Sequence, residues 1–487
     1  MKKLLFSAIL FAGLVALIAP PVAFAQEEKP FTIHGEVRTR LEYSDNASDF
    51  NDSGSNTVPG GGTGQFDDQG NFWPYRVRIA AEGHFTKNIT AWIEFQNAGV
   101  FGGDVFGPTK TGTFSGLGLG SAVELYQGNI TLNKLWSDHF SLTIGRQELV
   151  KGNELQLGDL DFYSGLSHDG VVANWDLKKV DITGWYTRPL EGSVFHGDNF
   201  LPPDQVVVNA NPGTTHFWGA YVTFDIHKDM PLELYFMEQR NRTFGADTPT
   251  TVDMVGARFS HNNTTSKGAV WNAEYAQEFG KISDLSTPTV FESGADISGS
   301  VAEAMFGWNF KVKNVIHQIY GKYEFASGNK SETGLDSKDE GFQPFYTDFH
   351  NRLGRGDWFQ LTGSPTTPVY GGFPTQLGGA TVAGTGGGAT TLGSGIQAFS
   401  VGYQGWTERH GWGAAYWDYS LDQSSEFATG SEDKLGTAID LWYDFNYSKN
   451  LTFEASVSQL STDDALTGPG GPSDSVMRVY GNARLRF

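Results

Sequence analysis

The chain has 487 residues, no cysteine, 62 glycines, 14% aromatic residues and a formal charge of −21. The missing cysteines exclude disulfide staples and Cys-ligated metal or iron–sulfur sites, and the acidic balance excludes a general nucleic-acid binder, whose affinity rests on basic surface. Beyond the N-terminus no apolar run is long enough to cross a bilayer as a helix, which leaves open a barrel, whose lipid face is diluted two-fold by polar lumen residues.

Met1–Ala25 reads as a secretory signal, with Lys2 and Lys3 at its start, an apolar core at Leu4–Ile18 and a small-residue cleavage site at Ala23-Phe24-Ala25. The mature chain, 26–487, then keeps a two-residue beat. Phe31, Ile33, Gly35, Val37, Thr39, Leu41 and Tyr43 share one face of the first strand, while Thr32, His34, Glu36, Arg38, Arg40 and Glu42 share the other. A polar, glycine-rich stretch runs from Ser44 to Asn71. Tyr75–Phe85 again points Arg76 and Arg78 away from Tyr75, Val77 and Ile79, and a Thr86-Lys87-Asn88 turn leads into Ile89–Gln96.

Further strands are expected near Leu125–Leu132, Phe140–Gly145, Gly170–Trp175, Val180–Thr187, Trp218–Phe224, Leu232–Gln239, Val255–Ser260, Trp271–Glu278, Ala304–Phe310, Gln318–Phe325, Ile396–Tyr403, Gly411–Tyr419, Thr437–Tyr447, Leu451–Ser458 and Val476–Phe487. Short connections, around Lys178-Lys179, Lys311–Asn314 and Ser448-Lys449-Asn450, alternate with long ones such as Pro189–Thr215 and Ala326–Gly395. This predicts an all-β fold, a transmembrane antiparallel β-barrel of about 18 strands with short periplasmic turns and long extracellular loops. A soluble propeller or β-helix would repeat a unit at fixed period, and none is found. Gly371–Gly395 reads as a low-complexity outer loop.

The motifs of common enzymes are missing: no zinc helix, nucleophile elbow, phosphate loop or dinucleotide fingerprint. His168 beside Asp169 is the nearest candidate for rim chemistry, and a rim histidine bonded to a neighbouring strand or loop is the plainer reading. The acidic clusters Asp49-Phe50-Asn51-Asp52 and Asp336–Glu340 lack a full calcium spacing and read as solvated loop charge. No metal or other cofactor is expected.

The inward faces carry the functional signal. Arg38 and Arg40 lie on the first strand, Arg76 and Arg78 on the second, and Arg478, Arg484 and Arg486 on the last. A closed barrel pairs its last strand with its first, so seven arginines gather on one wall, tempered by Glu36, Glu42 and Glu82. Arg258 is a further pore-lining candidate. Elsewhere inward carboxylates lead: Asp181, Glu274, Glu278, Glu324, Asp440, Asp444 and Glu454. Arginine's planar fork pairs with carboxylates and stays charged, so such a wall biases a pore toward anions. The alternative is structural, with Arg and Glu on neighbouring strands neutralising each other. Register decides between the two.

Several stretches resemble the alginate export family of outer-membrane barrels: Gly35-Glu36-Val37-Arg38-Thr39-Arg40, Gly145-Arg146-Gln147-Glu148-Leu149, His168-Asp169-Gly170-Val171, and Tyr323-Glu324-Phe325-Ala326-Ser327-Gly328-Asn329 followed by Phe342-Gln343-Pro344-Phe345 and His350. Thr437–Tyr447 also fits. The resemblance implies an eighteen-stranded monomeric barrel with an arginine-lined constriction, gated by extracellular loops and a periplasmic turn. Arg38, Arg40 and Arg146 lie in matching motifs. Arg146 shares parity with outward Phe140, Leu142 and Ile144, so it needs a bulge near Gly145 to turn inward.

The expected function is selective passive passage of an anionic polysaccharide or acidic sugar through the outer membrane, with membrane lipid and periplasmic export machinery as partners. The rivals are a general or small-anion porin, a rim-active barrel enzyme, and an adhesion or structural barrel plugged by its glycine-rich loop.

Overall fold

The computed structural model describes residues 31–45, 57–58, 62–63, 70–101, 120–159, 161–190, 214–242, 249–262, 267–282, 291–329, 336–359, 361, 395–423, 433–463 and 475–487. The signal at 1–25, the 49–52 cluster and most of the glycine-rich 371–395 stretch lie outside the described residues.

Eighteen antiparallel strands close into a barrel. They are β1 Thr32–Asp45, β2 Pro74–Thr86, β3 Ile89–Val100, β4 Gly120–Asn133, β5 Phe140–Gln147, β6 His168–Asp176, β7 Val180–Leu190, β8 Thr214–His227, β9 Met230–Arg242, β10 Thr250–His261, β11 Gly268–Lys281, β12 Ser300–Val312, β13 Val315–Ala326, β14 Ile396–Trp406, β15 His410–Ser420, β16 Lys434–Asn446, β17 Leu451–Thr462 and β18 Ser475–Arg486. Every strand expected from the two-residue beat is present, because alternation fixes which face each residue takes.

The outer face is apolar. Leu41, Ile79, Ile93, Ile130, Phe306, Ile319 and Ile439 are all exposed on it. Aromatics ring both ends of that band: Phe31, Phe85, Trp136, Trp175 and Phe487 near the short turns, Trp73 and Phe101 toward the long loops. An exposed apolar band between aromatic girdles is what a bilayer requires of a barrel exterior. The short turns are tight enough that Lys134, Lys178, Asp229 and Lys313 adopt positive φ.

Closure joins β1 to β18, with Val37 opposite Leu485 and Arg38 opposite Arg484. The last residue completes the seam. Gly35 N donates to the Phe487 carbonyl at 2.8 Å and Phe487 N to that of Gly35 at 3.0 Å. The Phe487 ring lies where a Cβ on residue 35 would stand, so glycine lets the ring lie flat on the strand, and a larger residue would have to displace it.

Water does not fill the interior. Two segments between strands fold inward: segment A (148–159 and 161–167), between β5 and β6, and segment B (340–359 and 361), between β13 and β14. Leu155, Leu157, Phe162 and Tyr163 of A join Phe342, Phe345, Tyr346 and Trp358 of B in one buried cluster, which also takes in wall residues Phe217, Tyr221, Met237 and Met254. The segments run together through backbone bonds from Gly158 N to Tyr346 O (2.8 Å), Tyr346 N to Gln156 O (3.1 Å) and Asp348 N to Glu154 O (3.0 Å). The lumen therefore holds a packed core of its own, formed by the two segments against the wall.

Candidate functional site: an arginine wall and two inner segments

Register turns the expected arginine wall into a geometry. Arg38 stands directly opposite Arg484 on β18 and Arg76 on β2, so three cations lie abreast across β18–β1–β2. Like charges in direct register repel, and segment A supplies the compensation. Arg76 grips the Asp161 carboxylate and takes Glu36 through Nη2 at 2.5 Å. Arg38 donates to the backbone carbonyls of Asp161 and Tyr163, each at 2.6 Å. Arg78 donates to the carbonyl of Ser164 and the amide of Gln96, both at 2.7 Å, and lies 3.3 Å from Asp161. Its guanidinium also covers the Tyr126 ring at 3.7 Å. Burial opposes ionisation of Asp161, yet Arg76, Arg38 and Arg78 hold its carboxyl well below the usual carboxylate range.

Higher on the wall, Arg478 joins both segments to the barrel. It reaches Glu42 at 2.9 Å, Asp357 at 2.8 Å, the Gly356 carbonyl at 3.0 Å and the Tyr163 hydroxyl at 3.3 Å. Arg40 lies 3.4 Å above the Phe162 ring and bonds Glu42 at 3.2 Å, while His350 stacks on Phe162 at 3.5 Å. Arg486 sits at the short-turn mouth, exposed, 3.1 Å from Glu36. Among the described residues Arg484 forms no ion pair.

The facing wall is built in the opposite sense. Glu274, Glu303 and Glu324 stand abreast on β11, β12 and β13, with Arg258 on β10 opposite Glu274. Arg352 of segment B donates to Glu303 at 2.7 Å and to the Asn153 carbonyl of segment A at 2.7 Å. Lys322 lies 2.5 Å from Glu324 and 3.7 Å from Glu303, and Arg258 grips Glu233 and bonds Asn272 at 2.6 Å. Burial opposes the Arg352 charge, but Glu303, Glu324 and Glu274 hold its pKa above the ordinary arginine value. Farther round, Asp440 accepts from the Arg355 backbone at 2.8 Å, and Arg355 pairs with Glu454 at 2.7 Å.

Four expectations need correction. Arg146 does not enter the lumen. Gly145 takes a positive φ, but pairing on both sides runs through it without a register shift, so Arg146 keeps the outward parity of exposed Ile144. It forms a fork with Asp169, two bonds of 2.7 Å, on the outer wall. His168 is no rim hydrogen-bonder. It is fully buried between Phe217 and Tyr346, and neither ring nitrogen has a partner among the described residues. The nearest candidate for rim chemistry is thus sealed away from the rim. Asp339 of the Asp336–Glu340 cluster is buried rather than solvated, accepting from Gly341 N at 3.0 Å and the Gln343 amide at 2.8 Å. Glu324 and Asp440 lie beneath segment B, away from open lumen.

Alternation does not reach Asp161, Arg352 and Arg355, which lie in connections, or Glu303, one residue before the strand expected at Ala304–Phe310, whereas Lys322 shares the inward parity of Glu324. One signal was available: Phe342, Phe345, Tyr346 and Phe349 crowd a connection that solvent would not favour.

At the short-turn end, beneath Asn351 and Arg352, a cavity of about 690 Å³ remains, lined by β10–β16. A closed apolar-skinned barrel whose lumen carries opposed charged rows and inward segments defines the class: an outer-membrane channel. It resembles solved porins of Pseudomonas aeruginosa at fold level. OccD3 (OpdP) has a TM-score of 0.51 at 10% identity, covering 97% of this chain and 96% of that one. OccK11 (OpdR) gives 0.52 at 8%, covering 96% and 100%, and OpdQ gives 0.52 at 10%, covering 94% and 98%. No curated protein matches in sequence. The sequence matches the alginate export family over residues 63–362, and the chain belongs to that family. The protein is thus a barrel of the bacterial outer membrane.

Proposed function

We propose that this channel passes an anionic polysaccharide of the alginate type, or acidic sugars, as a monomer embedded in outer-membrane lipid, with selectivity set by the arginines of β18, β1 and β2. One observation carries the reading. Arg38, Arg76 and Arg78 already bind a carboxylate and a run of carbonyls, those of Asp161, Tyr163 and Ser164. A uronate presents the same planar carboxylate, and a guanidinium fork pairs with either. When segment A withdraws, cargo oxygens replace its oxygens one for one, so the buried arginines are never left unpaired. Several weak sites in series let a polymer move without being trapped.

Planar-bilayer recording tests this. A uronate oligosaccharide is expected to block the current, less so as salt rises. Free passage of small anions with no block by the oligosaccharide would assign the barrel to the general or small-anion porins.

A further inference from the structure

The cavity at the short-turn end differs in chemistry from the arginine wall. Tyr320 on β13 stands directly opposite Gly402 on β14, and Trp442 on β16 directly opposite Gly413 on β15. A Cβ at either glycine would run into the facing ring. Each ring is therefore laid over the backbone of its neighbour strand, the arrangement by which an aromatic covers a cross-strand glycine. The two rings reach toward the β14–β15 seam from opposite sides, and Gly413 pairs with Gln404, two residues from Gly402. Both rings line the cavity and are only partly buried.

Beside them runs a row of side-chain amides. Gln404 donates to Gln318 at 2.6 Å, and Gln318 to Asn309 at 2.9 Å, across β14, β13 and β12. Arg355 stands 4.8 Å over the Trp442 ring. Arg258, Lys322 and Arg352 also line the cavity but are each paired with a glutamate, so what it offers a ligand is flat aromatic rings and amides that both donate and accept. They suit a ring with an apolar face and a hydroxyl-bearing edge.

We propose that this cavity holds a pyranose-stacking subsite, with Tyr320 receiving the face of a sugar beside Trp442, and Gln404, the accessible end of the amide row, its hydroxyls. The inference rests on the cargo being a saccharide and not on the cargo's charge. It places sugar binding at the short-turn mouth, separate from Arg38, Arg76 and Arg78.

The test is bilayer current block by a neutral gluco-hexasaccharide and by a uronate hexasaccharide, each added at the short-turn side. Tyr320→Ala and Trp442→Ala are each expected to raise the half-blocking concentration of both sugars about fivefold, while Tyr320→Phe, which keeps the ring, retains block. Tyr320→Leu replaces the alanine variant where that barrel fails to assemble. Relief of block by the neutral sugar supports the subsite even where the uronate adds nothing, and in that case the anionic reading falls alone. Unchanged block by both sugars in the ring-less variants overturns the subsite and leaves the proposed cargo standing. No block of the native channel by either sugar overturns both.

Discussion

The two charged walls are mirror constructions. On one, the strands contribute three cations abreast, Arg484, Arg38 and Arg76, and an inner segment brings the anion, Asp161. On the other, the strands contribute three anions abreast, Glu274, Glu303 and Glu324, and an inner segment brings the cation, Arg352. Neither row would be tolerable alone, since like charges directly opposite destabilise a sheet. Each becomes a socket of one sign for a segment of the other. The walls differ in what remains when the segment leaves. The glutamate row keeps Lys322 on its own β13 and Arg258 on the adjoining β10. The arginine row keeps Glu36 and Glu42, so each row retains a surplus of its own sign, and only the cationic one suits an anionic cargo.

That asymmetry ranks the substitutions. Arg76→Ala leaves Glu36 and Asp161 buried without their shared cation. Breaking a buried pair costs about 3–5 kcal/mol. Because Arg38 and Arg78 still face Asp161, a value near the lower end is expected in denaturant unfolding of the detergent-solubilised barrel, together with raised conductance as segment A loosens. An unchanged midpoint and unchanged current would break the socket picture. Arg352→Ala should cost less, about 2 kcal/mol for the lost charge-assisted bonds, because Lys322 remains 3.7 Å from Glu303. A loss equal to that of Arg76→Ala would erase the asymmetry.

The junction between the segments gives a smaller, pH-dependent effect. The carboxylates of Glu154, Asp159 and Asp348 lie within 4.8 Å of one another. Burial, then the charges of Asp161, Glu154, Glu148 and Asp348, push Asp159 up to about 7; Glu154 and Asp348 are raised as well, burial again leading. With the folded pKa above the unfolded value, the docked junction binds the extra proton. Its stabilisation is fully present below about pH 4 and is lost as pH rises toward 7. Conductance should therefore be lower at pH 5.5 than at pH 7.5, and Asp159→Asn should flatten the difference. A native channel that opens on acidification would contradict this sign.

The barrel was legible because alternation is a local property: Val37 and Arg38 declare their faces whatever their neighbours do. The arginine wall was half legible. Closure puts β18 beside β1, but only register sets Arg38 opposite Arg76 rather than one step away, and register depends on strand offsets that no single strand encodes. The inner segments were not legible, since their fold is long-range. Leu157 finds Tyr346 and Arg352 finds Glu303 only after the barrel has closed. The seam of Gly35 and Phe487 lies between these cases: alternation puts each on the outer face of its strand, and only their contact brings the glycine under the ring.

Arg146 gives the smallest predicted effect and the sharpest contrast with Arg76. Both are arginines in barrel strands, and both bind an aspartate carboxylate, Arg146 through a two-bond fork. Arg76 is buried in the lumen, whereas Arg146 and Asp169 are 40% and 52% exposed on the outside. Burial decides the outcome. An ion pair outside the packed lumen contributes about 0.2–1 kcal/mol, since its removal strands no charge buried in protein. Arg146→Ala should thus leave unfolding within that margin and leave ion selectivity and uronate block unchanged. A shift in reversal potential in this variant would mean that the side chain reaches the conduction path, and the outward parity carried through Gly145 would have to be abandoned.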